Sequence, residues 1–121
     1  MSNNNLFDNS EIIYSYSRAQ SLEDGILVDV TDWAKGMIKV PVAFTHALWT
    51  SLENIPEGSG EDIRGRAHDV LFLAAIEGKR AADSRITFKV IVTPKTLTLI
   101  MDIGPGDVGE PVITIGFPED F

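Results

Sequence analysis

Cysteine is absent from the chain. With it go disulfides, thiolate metal sites and cysteine nucleophiles, and the absence fits a reducing compartment. Histidine is nearly as scarce, with His46 and His68 the only imidazoles. Neither stands at metal-ligand spacing from acidic residues, so no metal and no other cofactor is expected. Basic residues are outnumbered, 10 Lys and Arg against 18 Asp and Glu, for a formal charge of −8. Phosphate contacts need a basic stripe, so direct nucleic-acid binding is disfavoured. No apolar run approaches the roughly 20 residues of a bilayer span. The start, MSNNNLFDNSE, has neither the basic residues nor the apolar core of a signal peptide. A soluble, cytoplasmic protein that stays off membranes is the expectation.

What is present suits a single folded domain. At 121 residues with 44% hydrophobic content, the chain can bury about 65% of its unfolded surface. Residues 1–10 are polar and Asn-rich, which predicts a mobile tail ahead of one α+β domain spanning 11–121. The charge is uneven. Residues 1–60 and 96–121 each carry −5, whereas residues 61–95, with 7 basic and 5 acidic groups, carry +2. Acidic blocks of this kind favour a basic-surfaced partner or simply solubility.

Periodicity predicts helices first and a sheet afterwards. Ser17, with Gln20 three residues on and Gly25 behind, reads as a short capped helix, followed by a strand at ILVDV and a turn capped by Thr31. VPVAFTHALWTSLEN (40–54) suits one helix with Pro41 in its first turn and Phe44, Ala47, Leu48 and Leu52 inward. Ser59 with Asp62 resembles a capping box, ahead of the stripe Ile63, Ala67, Val70, Leu71 and Ala74. From 85 onward the period changes to two. Ile86, Phe88, Val90 and Val92 alternate with Thr87 and Lys89, and Leu97, Leu99, Met101 and Ile103 repeat the pattern. PVITIGF makes a third strand. The expected fold is therefore α+β, with helices in the N-terminal two-thirds packed on a C-terminal antiparallel β-meander of three or more strands.

The segment MDIGPGDVGEPVITIGF raises the sharpest question about chemistry. A phosphate-binding loop follows a strand and opens a helix, with amides facing the anion. Here Gly104–Pro111 leads into another strand, and Asp107 and Glu110 would repel phosphate. The spacing of oxygen ligands also misses an EF-hand. A hairpin loop is expected, with Asp107 and Glu110 as candidate partner contacts because loops carry function disproportionately. Tyr14 and Tyr16 alternate with serines before Arg18, a mixture common in recognition surfaces and equally suited to a lid over the core. Arg18 is the one cation in the first thirty-four residues, among Glu11, Glu23, Asp24, Asp29 and Asp32. An internal ion pair is its economical reading, anion binding the alternative. His68 beside Asp69 could be an oriented base, although an ordinary helix-surface histidine explains it as well.

YSYSRAQSLEDGILVDVT, PVAFTHALW, RAHDVLFLA and GPGDVGEPVITIGFPEDF together resemble a family of small uncharacterised proteins encoded largely by bacteriophages, plasmids and other mobile elements. The resemblance runs from Tyr14 to the C-terminus, apart from the loop at 54–60. It implies a bacterial or phage cytoplasm and an accessory role toward a host or mobile-element protein, and it carries over no catalytic residue. Two readings follow. One is a small acidic, non-enzymatic interaction protein that modulates a host or defence complex. The other is a small-molecule or nucleotide-binding domain, or an enzyme, using Tyr16, Arg18, Asp29 and His68.

Overall fold

A five-stranded sheet in the order β1-β2-β5-β4-β3 organises the chain. The computed structural model describes residues 16–121; Tyr14 and the predicted tail lie outside the described residues. In chain order the elements are α1 (Arg18–Glu23), β1 (Leu27–Asp29), a 3₁₀ turn (Asp32–Ala34), β2 (Val42–Thr45), α2 (His46–Glu53), α3 (Ile63–Arg80), β3 (Arg85–Val92), β4 (Lys95–Pro105), β5 (Pro111–Gly116) and a second 3₁₀ turn (Pro118–Asp120). β1 pairs antiparallel with β2, and β2 pairs parallel with β5. β5, β4 and β3 are antiparallel neighbours.

This overturns the expected arrangement of helices on a C-terminal meander. The class remains α+β, but the sheet is mixed. Two of its strands come from the N-terminal half, and the helices are interspersed among them. The error has a local cause at residues 40–54. Val42–Thr45 is a strand buried at every position, Val42 and Phe44 in the core and Ala43 and Thr45 on the second face. Such a central strand shows no alternation. Helix α2 begins only at His46, where the Thr45 hydroxyl accepts from the Leu48 amide at 3.2 Å. Phe44 on the strand and Leu48 and Leu52 on the helix all face one core. Their four-residue spacing therefore imitated a single helical stripe. Pro41 and the β-branched Val40 and Val42 were the contrary signal.

The C-terminal alternation survives intact. β3 is buried at every second residue, and Phe88 stands opposite Leu99, Ile86 opposite Met101 and Met101 opposite Ile115. These side chains meet Val70, Leu71 and Ala74 of α3 and Phe44 of β2 in one core. Capping of α3 differs from expectation, since Asp62, not Ser59, is its N-cap and accepts from Gly65 N at 2.7 Å. The other face of the sheet presents Asp29, Ala43, Thr45, Thr114, Asp102 and Arg85, placed there by the same registers.

Candidate functional site

Arg18 crosses from α1 to that second face. Its guanidinium donates to the Thr114 hydroxyl and the Ile113 carbonyl, both at 2.8 Å. Asp107 answers in the other direction, its two carboxylate oxygens accepting from the backbone N–H of Arg18 at 2.7 Å and of Ala19 at 3.1 Å. Ser17 takes the next amide, that of Gln20, at 2.9 Å. The donors of the first turn of α1 are thus satisfied by its own cap and by a loop about ninety residues distant. A six-residue helix has little stability alone, so this latch fixes its position.

The electrostatics follow from that geometry. The two backbone donors hold the Asp107 carboxyl below its ordinary range; desolvation opposes them, and the Arg18 charge adds a smaller downward pull. Burial lowers the Arg18 pKa, while Asp29, Asp107 and Glu110 counter the loss of water. Tyr16 donates to Asp24, which raises the phenol pKa. A group with a depressed folded pKa stabilises above its unfolded value and ceases to do so as pH falls through the folded value. The Arg18 and Ala19 amide resonances should therefore titrate together on acidification, with a midpoint below the unperturbed Asp value of about 3.9. NMR of wild type against Asp107→Asn checks this; a shared titration that persists in the variant would contradict it.

Tyr16, Arg18, Asp29, Asp107 and Glu110 are thus neighbours in one quarter of the molecule, as interactions of the chain with itself. The loop holding two of them is the expected hairpin connection. Gly106 N donates to Glu110 O and Gly109 N to Gly106 O, Val108 N donates to the Glu110 carboxylate at 3.0 Å, and Gly109 supplies the positive φ of 86°. Asp120 accepts from Thr45 Oγ1 and Phe117 N, both at 2.8 Å. His68 does not join the group. It lies exposed on α3 over the opposite side of the sheet, 3.9 Å from Asp69, with its ring stacked on Phe72 at 6.2 Å. His46 is exposed on the first turn of α2, near the Thr50 hydroxyl.

His68 instead leads to a feature the sequence reading missed. Along α3, His68, Phe72 and Ile76 recur every four residues beside the buried stripe, and Phe72 is 49% and Ile76 37% exposed. Ile91, standing in the outward row of β3 with Thr87 and Lys89, is 71% exposed. Asp69, Phe72, Leu73, Lys89, Val90 and Ile91 line a shallow groove of about 300 Å³ between helix and strand. The signal was present: two large apolar residues fell outside the core stripe of α3, and an isoleucine occupied a polar row. Among the described residues, no group of acidic and histidine side chains has the makings of a metal site, and no helix is long and apolar enough to cross a membrane.

The chain belongs to a family of unknown function, DUF6573, which it matches over residues 3–121. No curated protein and no solved structure matches it.

Proposed function

We propose that this member of the family is a small, non-enzymatic interaction protein whose partner docks where α3 meets β3. The carrying observation is the groove lined by Phe72, Leu73, Val90 and Ile91, with Ile76 exposed one helical turn beyond Phe72 on α3. Single exposed apolar residues are ordinary; a contiguous set beside polar residues marks an interaction surface. Phenylalanine and isoleucine there have no role in the core, which α3 fills with Ala67, Val70, Leu71 and Ala74. The resemblance to proteins of phages, plasmids and other mobile elements supports a host or defence complex as the target. The bacterial or phage cytoplasm it implies is the matching location.

The small-molecule reading is weaker on geometry. Tyr16 is engaged by Asp24, Arg18 by Thr114 and Ile113, and Asp29 by Thr31. With His68 across the sheet, the four side chains share no cavity. Affinity capture from a bacterial lysate tests the choice. The wild-type chain should retain a protein partner that Phe72→Asp/Ile76→Asp loses while keeping its thermal midpoint. Equal capture by both would contradict the reading.

A further inference from the structure

β3 is a terminal strand of the sheet, and among the described residues no strand lies beyond it. It is eight residues long and regular, each of its residues being paired with β4 on the inner side. A long, straight edge presents a row of backbone N–H and C=O groups able to accept another strand. The edge also has two chemically different borders. On the core side it is overhung by α3, with Phe72 and Leu73 exposing apolar surface at the groove. On the second face the outward row reads Arg85, Thr87, Lys89, Ile91.

Lys89 is the telling residue in that row. Its cross-strand neighbour is Thr98, and its same-face neighbours along β3 are Thr87 and Ile91. It belongs to no ion pair among the described residues, whereas Arg85 is bonded to Asp102 at 3.1 Å. The surrounding segment, residues 61–95, is the only third of the sequence with a positive balance, +2 against −5 on either side. At 0.15 M salt, charges reach only about 8 Å, so a docked chain responds to Lys89 before it responds to the net charge of the molecule.

Building on the interaction reading above, we infer that the partner is an extended peptide segment alternating acidic and apolar residues, added to β3 as a sixth strand. Strand addition draws affinity from main-chain hydrogen bonds and specificity from alternate side chains. One row of the added strand lies under α3 against Phe72 and Leu73 and must be apolar. The other lies along Thr87, Lys89 and Ile91, and its residues beside Lys89 must be acidic. Asp69, the one acid lining the groove, stands on the helix side and so meets the apolar row. A second copy of this chain is a poorer occupant, because antiparallel pairing of β3 with itself sets Lys89 opposite Lys89 or Arg85 of the other copy in its central registers.

The test uses an eight-residue peptide alternating glutamate and valine, acetylated and amidated, with a lysine–valine peptide as control. Binding to the full chain is followed by NMR titration. The acidic peptide should bind about tenfold more tightly than the basic one, and Lys89→Glu should reverse that order. Because only every second amide of an added strand faces its neighbour, N-methylating one alternate set should abolish binding and methylating the other should not. Equal tolerance of both methylated sets would overturn strand addition while leaving the α3–β3 docking face standing. Failure of the acidic peptide to bind, shifts confined to another surface, an unaltered order in Lys89→Glu, or self-association through β3 would each overturn the inference. The interaction reading fails separately, on the capture by Phe72→Asp/Ile76→Asp.

Discussion

Replacing Arg66 with methionine is expected to destabilise the protein by about 2–4 kcal/mol, the cost of orphaning partly buried carbonyls. Arg66 is 4% exposed, one of two buried polar residues among the described residues. Its position follows from the α3 register, because residue 66 lies beside Ala67 and Val70 on the inner face. The guanidinium there gathers chain ends that have no other hydrogen-bond partner among the described residues. Nη1 donates to Leu52 O and Asn54 O at 3.2 Å, Nη2 to Thr93 O at 2.7 Å, and Nε to Glu61 at 2.8 Å. One side chain thus ties the end of α2, the entry to α3 and the β3–β4 turn. Methionine fills the volume and leaves three carbonyls unpaired. Lysine cannot restore them, since a point charge lacks the planar fork. Glu61→Gln is the informative control. Its carboxylate is about one-third exposed and its oxygen remains an acceptor as an amide, so the change stays under about 1 kcal/mol. Urea unfolding should show the Arg66→Met midpoint lower by on the order of 1–2 M. A midpoint shared with wild type would mean that water substitutes for the guanidinium.

Alanine at Gly116 should cost about 1–3 kcal/mol, through overpacking. A Cβ at this position would collide with Thr45 Cγ2 and lie 2.7 Å from Thr45 Oγ1 and 2.8 Å from Asp120 Oδ2. Those atoms form a relay. Leu48 N donates to Thr45 Oγ1, and Thr45 Oγ1 donates to Asp120. A single methyl therefore pushes apart the cap of α2 and the anchor of the C-terminal turn. Thr45 is itself buried on a central strand and cannot swing into solvent. The prediction is specific to space and not to backbone conformation, because Gly116 is not among the glycines with positive φ. Thermal unfolding of Gly116→Ala and of Thr45→Ala/Gly116→Ala separates the causes. Removing the threonine side chain should recover part of the loss caused by the added methyl, and full additivity would contradict the collision.

How far the sequence carried can be traced residue by residue. The β3–β4 hairpin was legible because each strand is covered more on one face, so Phe88, Val90, Leu99 and Met101 alternate with polar or exposed neighbours. β2 was not legible, because a strand buried on both faces carries no period, and its Phe44 aligned with the stripe of the helix behind it. The Gly104–Pro111 hairpin was readable from its glycines and acids. The role of Asp107 was not, because the amides it caps are about ninety residues away in sequence. Arg18 announced itself by standing alone among acids, although its strongest partners are a hydroxyl and a carbonyl of β5. Arg66 gave no warning at all: an arginine one residue from the core stripe looks like any solvated helix residue until the turn at Thr93 closes over it. The α3–β3 groove was visible only as Phe72, Ile76 and Ile91 out of pattern.

Amide hydrogen exchange in the full chain, measured by NMR with and without saturating glutamate–valine peptide, tests the docking face most directly. Free β3 should exchange quickly at alternate residues of 85–92, those whose N–H groups point away from β4. With the peptide bound, the same alternate amides should slow, together with shifts at Phe72 and Leu73, while the Arg18–Asp107 latch stays unchanged. Unaltered exchange along β3, or slowing centred on α1 and the Gly104–Pro111 loop instead, would contradict the assignment of this edge as the place where a partner is held.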